Sequence, residues 1–410
     1  MNIDRNRLLA RLDELGRVGT AGAAGRTRLA LTEEDRLGRD LVATWMREAG
    51  AQVCIDSIGN IHGVLRGSED GPPVMTGSHI DTVKRAGALD GCYGVVAGVE
   101  VIAAFHSAGT LPSKTLVVTA FTNEEGVRYA PDLLGSRVMT KDIGVAEALQ
   151  LTSTDGERCG EELRRIGYAG DYAPWDFLPG VFVELHIEQG PILDTRRIPI
   201  GVVEGVQGYS WWKISVSGRA NHAGTAPMSM RLDAGAAAMQ IATQLTERSV
   251  VNLSPSVATI GTFSVEPGAI NVVPGKATFT VDFRDPSDEG LARAEVALRR
   301  SVDKLKDAGF TTTMECISRN SAVTFNDAIC KEIAEVAAER SLPILRMVSG
   351  ASHDAQMLAR ICPTAMIFVP SRGGISHNPE EFTEADDLVN GAEVLLGAIS
   401  RLIMHSTSTQ

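Results

Sequence analysis

At 410 residues, 44% hydrophobic and 22% charged, the chain has the composition of an ordinary soluble globular protein long enough for two or three domains. Its formal charge of −12 argues against non-specific binding to nucleic acid, whose phosphates demand clustered Lys and Arg, and against an anionic membrane surface. An anionic small substrate stays open, because one arginine in a pocket can outweigh the global field. Six cysteines (54, 92, 159, 316, 330 and 362) lie far apart with no C-x-x-C pair, which fits a reducing compartment rather than a disulfide framework. The first residues lack the apolar core of a signal peptide, and no stretch reaches the roughly 18 apolar residues of a membrane span. A cytoplasmic location is expected.

Residues 3–16 carry Ile3, Leu8, Leu9, Leu12 and Leu15 at helical spacing and predict an amphipathic opening helix. Thr32-Glu33-Glu34-Asp35 resembles a capping start for a second helix through about Met46. Val53–Ile55 and Ile61–Leu65 predict two strands around a turn, and 74–79 a short buried strand ending at His79. An apolar helix over Gly94–Ser107 follows, then an apolar strand over Leu116–Thr122 that ends at Glu124 and Glu125. Strand–helix–strand alternation with polar residues at the strand ends predicts an open α/β sheet, whose ligands sit beyond the carboxyl ends of the strands.

From about 209 to 321 the pattern changes. Strands are expected at 211–216, 257–265, 277–284 and 310–317, with helices at 233–248 and 289–308. This β-α-β-β-α-β order is that of a ferredoxin-like α+β domain. The α/β pattern resumes with a helix over 327–340, a strand over 364–369 and a final helix over 383–402. Residues 209–321 are therefore read as a domain inserted into a discontinuous one made of 1–208 and 322–410, with a frayed tail after Met404.

Five of the eight histidines (His79, His186, His222, His353 and His377) occupy Gly-rich or acidic contexts at expected strand ends or loops, as when histidine serves as ligand. His62, His106 and His405 lack polar company. A site holding two divalent metals needs a bridging carboxylate, terminal ligands and a base for a shared water. Asp90, an isolated acid between small residues eleven positions after His79, suits the bridge. Asp81 is placed to hold the second nitrogen of His79. The adjacent Glu124 and Glu125 would point opposite ways in an extended chain, one to metal and one to water. His186 and His377 offer further ligands. Taken singly, a Glu-Glu pair is usually a solvated helix surface and a His-x-Asp a local hydrogen bond; their coincidence at strand ends favours a site.

Gly77–Val83 with Asp90-Gly91, Asn123–Gly126, Glu184–Pro191, Arg219–Met228, Asn271–Pro274 and Gly374–His377 together resemble the hydantoinase/carbamoylase amidase family, over about residues 5–402. That family includes N-carbamoyl-L-amino acid hydrolases, allantoate amidohydrolases and β-ureidopropionases, within a clan of dizinc aminoacylases and carboxypeptidases. The resemblance implies a dizinc-hydrolase catalytic domain whose inserted ferredoxin-like domain is a dimerisation lid. It implies two divalent ions per subunit, zinc first and manganese, cobalt or nickel as substitutes. His79, Asp90 and His186 would hold one ion and Asp90, Glu125 and His377 the other, with Glu124 as general base. His222, Asn271 and Arg284 would be substrate residues, His222 also stabilising the oxyanion, with Gln189 touching the substrate. A homodimer and a small ureido or amide substrate carrying a carboxylate follow from the same likeness. An ion pair with Asp282 or Asp285 is the competing reading of Arg284.

The short gap from His79 to Asp90, and a histidine at 186 where the peptidases use a carboxylate, favour the amidase branch over a dipeptidase or aminoacylase. Retention of every ligand candidate and of Glu124 disfavours a non-catalytic descendant. Three departures bear on the substrate: Ser352 replaces a usual glycine, Lys84-Arg85-Ala86 replaces a glycine-rich approach to Asp90, and Cys92 follows Asp90 closely. Allantoate, another ureide or an N-acyl amino acid remain alternatives to the N-carbamoyl amino acid.

Overall fold

The computed structural model describes residues 1–20, 25–251 and 256–404, so the tail after Met404 and His405 lie outside them. The chain divides into two compact units, one of Met1–Glu204 with Thr324–Gln410 and one of Gly205–Val323. The sequence reading places the breaks after 208 and 321.

The larger unit is built on a mixed sheet. In chain order its strands are β1 (Gln52–Ile55), β2 (Ile61–Leu65), β3 (Val74–His79), β4 (Leu116–Phe121), β5 (Val181–Ile187) and β6 (Ile200–Val206). The next in chain order are β7 (Gly208–Ser217), β8 (Asn221–His222), β9 (Val257–Glu266), β10 (Val272–Val273), β11 (Lys276–Asp285) and β12 (Thr311–Asn320), all in the smaller unit. After them come β13 (Val323–Thr324), β14 (Ile344–Ser349) and β15 (Thr364–Val369). The sheet runs β1-β2-β4-β3-β5-β15-β6-β13, with β14 also paired to β6. Its centre, β4-β3-β5-β15, is parallel, while β1 and β2 form an antiparallel hairpin and β6 runs antiparallel to β15. Strands β3, β4 and β15 are buried at every position, so they show no solvent-facing alternation, and their few polar members, such as Thr76, Ser78 and Thr119, are buried with the rest.

Both faces of the centre are covered. On β5, Leu185 lies against Gly94 and Gly391 of two long helices. Its neighbour Glu184 turns the other way and accepts the N–H of Ala355, in the short helix Asp354–Leu358 (2.9 Å). The helix Cys92–Ser107 is buried almost all round, so its sequence shows no polar face. The helix Glu33–Glu48 starts at Thr32, whose side chain accepts the Asp35 N–H, with three acids in its first turn. No described helix is long and apolar enough to cross a membrane, and all six cysteines are free.

β6 and β14, and short helices such as Leu134–Met139 and Asp354–Leu358, have no expectation above. The two helices are too short for a helical period to show, and β6 and β14 lack the alternating burial that marks a strand. His62 also departs from expectation: it is buried with Nδ1 2.9 Å from the Thr119 hydroxyl and Nε2 3.4 Å from Asp56, so it does have polar company.

The smaller unit is a four-stranded antiparallel sheet in the order β12-β7-β11-β9, with the helices Ala234–Val251 and Asp288–Asp307. Trp212, Ile214 and Val216 of β7 and Phe279, Val281 and Phe283 of β11 enter one core with Ile241, Leu291 and Leu298 of the helices. The intervening positions, such as Lys213, Thr278 and Thr280, are on the opposite face and less buried. This is the ferredoxin-like arrangement.

One ion-pair cluster ties the opening helix Arg5–Arg17 to the helix Cys92–Ser107. The Glu100 carboxylate, fully buried, meets Arg11 at 2.7 Å and Arg7 at 2.8 Å. Without Glu100, the buried Arg11 keeps only its longer contact to Glu48 (3.3 Å), while the half-exposed Arg7 can turn to water, so Glu100→Ala should destabilise the protein by about 1–3 kcal/mol. Denaturant unfolding monitored by fluorescence checks this, and an unchanged midpoint contradicts it.

Candidate metal site

The parallel centre places four segments on one edge. His79 ends β3, Glu124 and Glu125 follow β4, His186 lies near the end of β5, and the chain leaving β15 leads to His377. In register, His79 stands opposite Phe121 and Phe368 opposite His186, so these ends are level. Asp90 arrives from the loop between β3 and the helix Cys92–Ser107. Its successor Gly91 caps that helix at φ +64°, and a Cβ there would collide with the His79 ring.

The turn after β4 is not extended, so the two glutamates are not opposed as on a strand. Asn123 adopts a left-handed φ of +55° and its side chain donates to the carbonyls of Tyr129 (2.8 Å) and Pro131 (3.3 Å). The Asp81 carboxylate accepts the N–H of Glu124 (3.1 Å) and of Glu125 (3.3 Å). Its own position corrects the expected link to His79: Nδ1 of His79 lies 3.0 Å from the Asp81 main-chain carbonyl and 3.7 Å from the carboxylate. Two residues along a strand end, the carbonyl is simply nearer, and the carboxylate is left free to aim the glutamates. His186 repeats the device, with Nδ1 2.8 Å from the Ile187 carbonyl. In both histidines Nε2 therefore faces the centre.

The inward atoms converge on Asp90. Its Oδ1 is 3.2 Å from His186 Nε2 and 3.7 Å from His79 Nε2, and its Oδ2 is 3.0 Å from His377 Nε2. Glu124 approaches His79 Nε2 at 3.5 Å and Glu125 approaches His377 Nε2 at 3.5 Å. Two groups thus have ligand atoms all within 4.8 Å of one another: His79, Asp90 and His186, and Asp90, Glu125 and His377. They share Asp90. A third group, Glu184, His186 and His353, is equally compact. Its outer members are committed elsewhere: Glu184 accepts from Ser78 (2.7 Å) and Ala355, and His353 Nε2 meets the Ser349 hydroxyl at 2.9 Å.

Electrostatics show what the first two groups lack. Burial pushes Glu124 well above the usual carboxylate range, aided by the charges of Asp354, Glu125, Asp81 and Asp90. Burial does the same to Glu125, beside Asp90 and Asp81. Asp81 is pushed up to about 7 by burial and by Asp35. Burial would also raise Asp90, yet its contacts with His186, His377 and His79 hold it well below the range. His79 is pushed down to about 4, mainly by burial. Packed carboxylates of this kind are relieved by divalent cations, and imidazole with carboxylate oxygen is a donor set suited to zinc. The residues present therefore fit a metal site.

Other expected site residues fall differently. Gln189, at φ +57°, donates from Nε2 to Asp90 Oδ2 (3.0 Å), so its amide supports the shared acid. Ser352 is half-buried, two residues before the helix Asp354–Leu358. In the smaller unit, β8 pairs with β10, setting His222 opposite Val272, and Ala223 donates to the Asn271 carbonyl (3.0 Å), which brings His222 and Asn271 together. Arg284, on β11, pairs with Asp282 at 3.1 Å and lies over the Tyr209 ring. The competing reading of Arg284 thus describes its pairing here.

Residues 75–401 match the model of Peptidase family M20/M25/M40, and the chain belongs to that family of metal-dependent hydrolases. Within it, the chain stands with the hydantoinase/carbamoylase amidases. It is 40% identical, at a TM-score of 0.95 over 99% of both chains, to a crystal structure of the hydantoinase/carbamoylase family amidase from Burkholderia multivorans. It is 38% identical to the N-carbamoyl-L-amino acid amidohydrolase of Geobacillus stearothermophilus, over 98% of this chain and 99% of that one. It is 34% identical to the ureidoglycolate hydrolase of Arabidopsis thaliana, over 98% of this chain and 87% of that one.

Gly91→Ala tests the geometry. The added methyl must displace the His79 ring, so the variant should keep its far-ultraviolet circular dichroism while losing about 10-fold or more in metal affinity. Unchanged affinity in dialysis against a competing chelator would contradict the packing described.

Proposed function

We propose that this chain is an amidohydrolase that removes the carbamoyl group of N-carbamoyl-L-amino acids, with two divalent ions per subunit, zinc first. The observation that supports it most is the pair of three-residue ligand groups sharing Asp90, with Glu124 alongside. His79, Asp90 and His186 would hold one ion, and Asp90, Glu125 and His377 the other. Bound there, such ions would polarise a carbonyl oxygen and make water acidic enough to attack near neutral pH.

The protein's own groups then act on the substrate. Glu124 takes a proton from the attacking water, whose oxygen bonds to the carbamoyl carbon. One C–N bond breaks, and Glu124 returns the proton to the departing nitrogen. The carbamic acid that remains loses CO2, so the products are the amino acid, CO2 and ammonia. Asp81 serves by holding the backbone on both sides of Glu124.

His222, Asn271 and Arg284 would recognise the substrate. Nδ1 of His222 accepts the N–H of Gly224 (3.0 Å) and of Thr225 (3.2 Å). The ring proton therefore sits on Nε2, which makes His222 a donor suited to an oxyanion. Arg284 offers a planar fork for the substrate carboxylate, which would compete with Asp282 for it. Asn271 can donate its amide to the same group, and Ser352 places a side chain near the substrate where the family usually has glycine. A homodimer belongs to the same reading.

A second reading, an amidohydrolase of allantoate or another ureide, is favoured by the ureidoglycolate hydrolase relative. Ammonia and amino-acid release from metal-loaded protein, measured on N-carbamoyl-L-amino acids, N-carbamoyl-β-alanine, ureides and N-acetyl amino acids, separates the two. N-carbamoyl-L-amino acids should turn over fastest, and Glu124→Gln should lower kcat by about 10²–10⁴. Turnover of ureides alone would select the second reading, and undiminished activity in Glu124→Gln would remove Glu124 from the base role. Arg284→Ala should raise KM for carboxylate-bearing substrates far more than for their amides; equal effects would exclude carboxylate recognition by Arg284.

A further inference from the structure

Glu381 belongs to neither ligand group, yet it is tied to both. It lies four residues beyond His377, in the loop joining β15 to the final helix, and is 7% exposed. Its Oε1 accepts the N–H of Leu89 (2.8 Å) and of Asp90 (3.2 Å), and its Oε2 accepts the Ser376 hydroxyl (2.9 Å). Ser376 directly precedes His377. One carboxylate thus joins the acid shared by the two groups to the loop that carries the last histidine. Gln189 closes the ring, its Nε2 reaching Asp90 Oδ2 at 3.0 Å and Ser376 Oγ at 3.4 Å. The loop is shaped around this contact: a Cβ on Gly87 would collide with the Glu381 carboxylate.

The two ligand groups differ in how they are supported. His79 and His186 sit at the ends of buried strands, 2% and 1% exposed, with Nδ1 fixed on main-chain carbonyls. They need little outside help. The His377 side chain is 49% exposed and its backbone stands at φ +52°, in a loop. A ligand on such a loop keeps its place only if the loop is anchored beside it.

Taking the two-ion reading above as its basis, we propose that Glu381 is a positioning residue for one ion position, that of Asp90, Glu125 and His377. Loss of its carboxylate frees the Leu89–Asp90 backbone and releases Ser376, so Asp90 Oδ2 and His377 Nε2 no longer face each other at a fixed separation. The position made by His79, Asp90 and His186 also uses Asp90 but keeps two strand-end histidines, so it weakens less. Glu381 therefore grades the two positions into one that is intrinsic to the sheet and one that depends on the loop.

The test is calorimetric titration of Zn2+ into metal-free protein, with the melting temperature of each metal-free variant as control. Wild type should take two ions. Glu381→Ala should keep the tighter ion and bind the other about 10–100-fold more weakly, the usual effect of removing an outer hydrogen-bond partner. Glu381→Gln keeps an oxygen for the two N–H groups and should fall between, and Ser376→Ala, which removes only the Oε2 bond, should weaken the same ion less. If Glu381→Ala fails to fold, these two variants carry the test. Equal weakening of both ions, or no change in either, in protein of unaltered melting temperature would overturn the positioning role. Fewer than two ions in wild type would instead overturn the two-ion reading, and this inference with it.

Discussion

Asp90 receives three histidines on one carboxylate, two at Oδ1 and one at Oδ2, and the surrounding structure is arranged to make that possible. An acid this buried is stable as an anion only where positive or hydrogen-bonding groups reach it, and Asp90 is the one carboxylate of the cluster held well below its ordinary range. Its neighbours Glu124, Glu125 and Asp81 are pushed the opposite way, chiefly by burial. Carboxyl groups packed this closely and kept from water form an arrangement that divalent cations relieve. The parallel strands, the close approach at Gly91, the Asp81 clamp on the glutamate turn and the Glu381 ring all follow as the means of holding these groups within reach.

Much of this was legible in the sequence, for a physical reason. Strands buried on both faces are built of apolar and small residues with no charge, so a charged or imidazole side chain where the run stops marks the sheet's carboxyl edge. His79 after Val74–Ser78 and the Glu pair after Leu116–Phe121 are such places. The smaller unit was legible through the other periodicity. Its sheet covers a core on one face only, so Trp212, Ile214 and Val216 alternate with polar residues and betray the strand directly.

The supporting contacts were not legible. Asp81 could be paired with His79 by proximity in sequence, but nothing local shows that its carboxylate turns to the N–H groups of Glu124 and Glu125, more than forty residues away. Glu381 reaches Leu89 and Asp90 across nearly three hundred residues, and in sequence it is one acid in an exposed-looking Glu380-Glu381 pair. Glu184 reads as an anomaly inside an apolar strand until Ser78 and Ala355 account for both its oxygens. Ligand candidates announce themselves by residue type; the groups that aim them are defined by where the chain returns.

The measurement that bears most directly on the account is an anomalous difference map from crystals of zinc-loaded protein collected at the zinc edge. The account predicts two peaks sharing Asp90, one among His79, Asp90 and His186 and one among Asp90, Glu125 and His377. A single peak, or an ion held by Glu184 and His353 in place of Asp90, would contradict it.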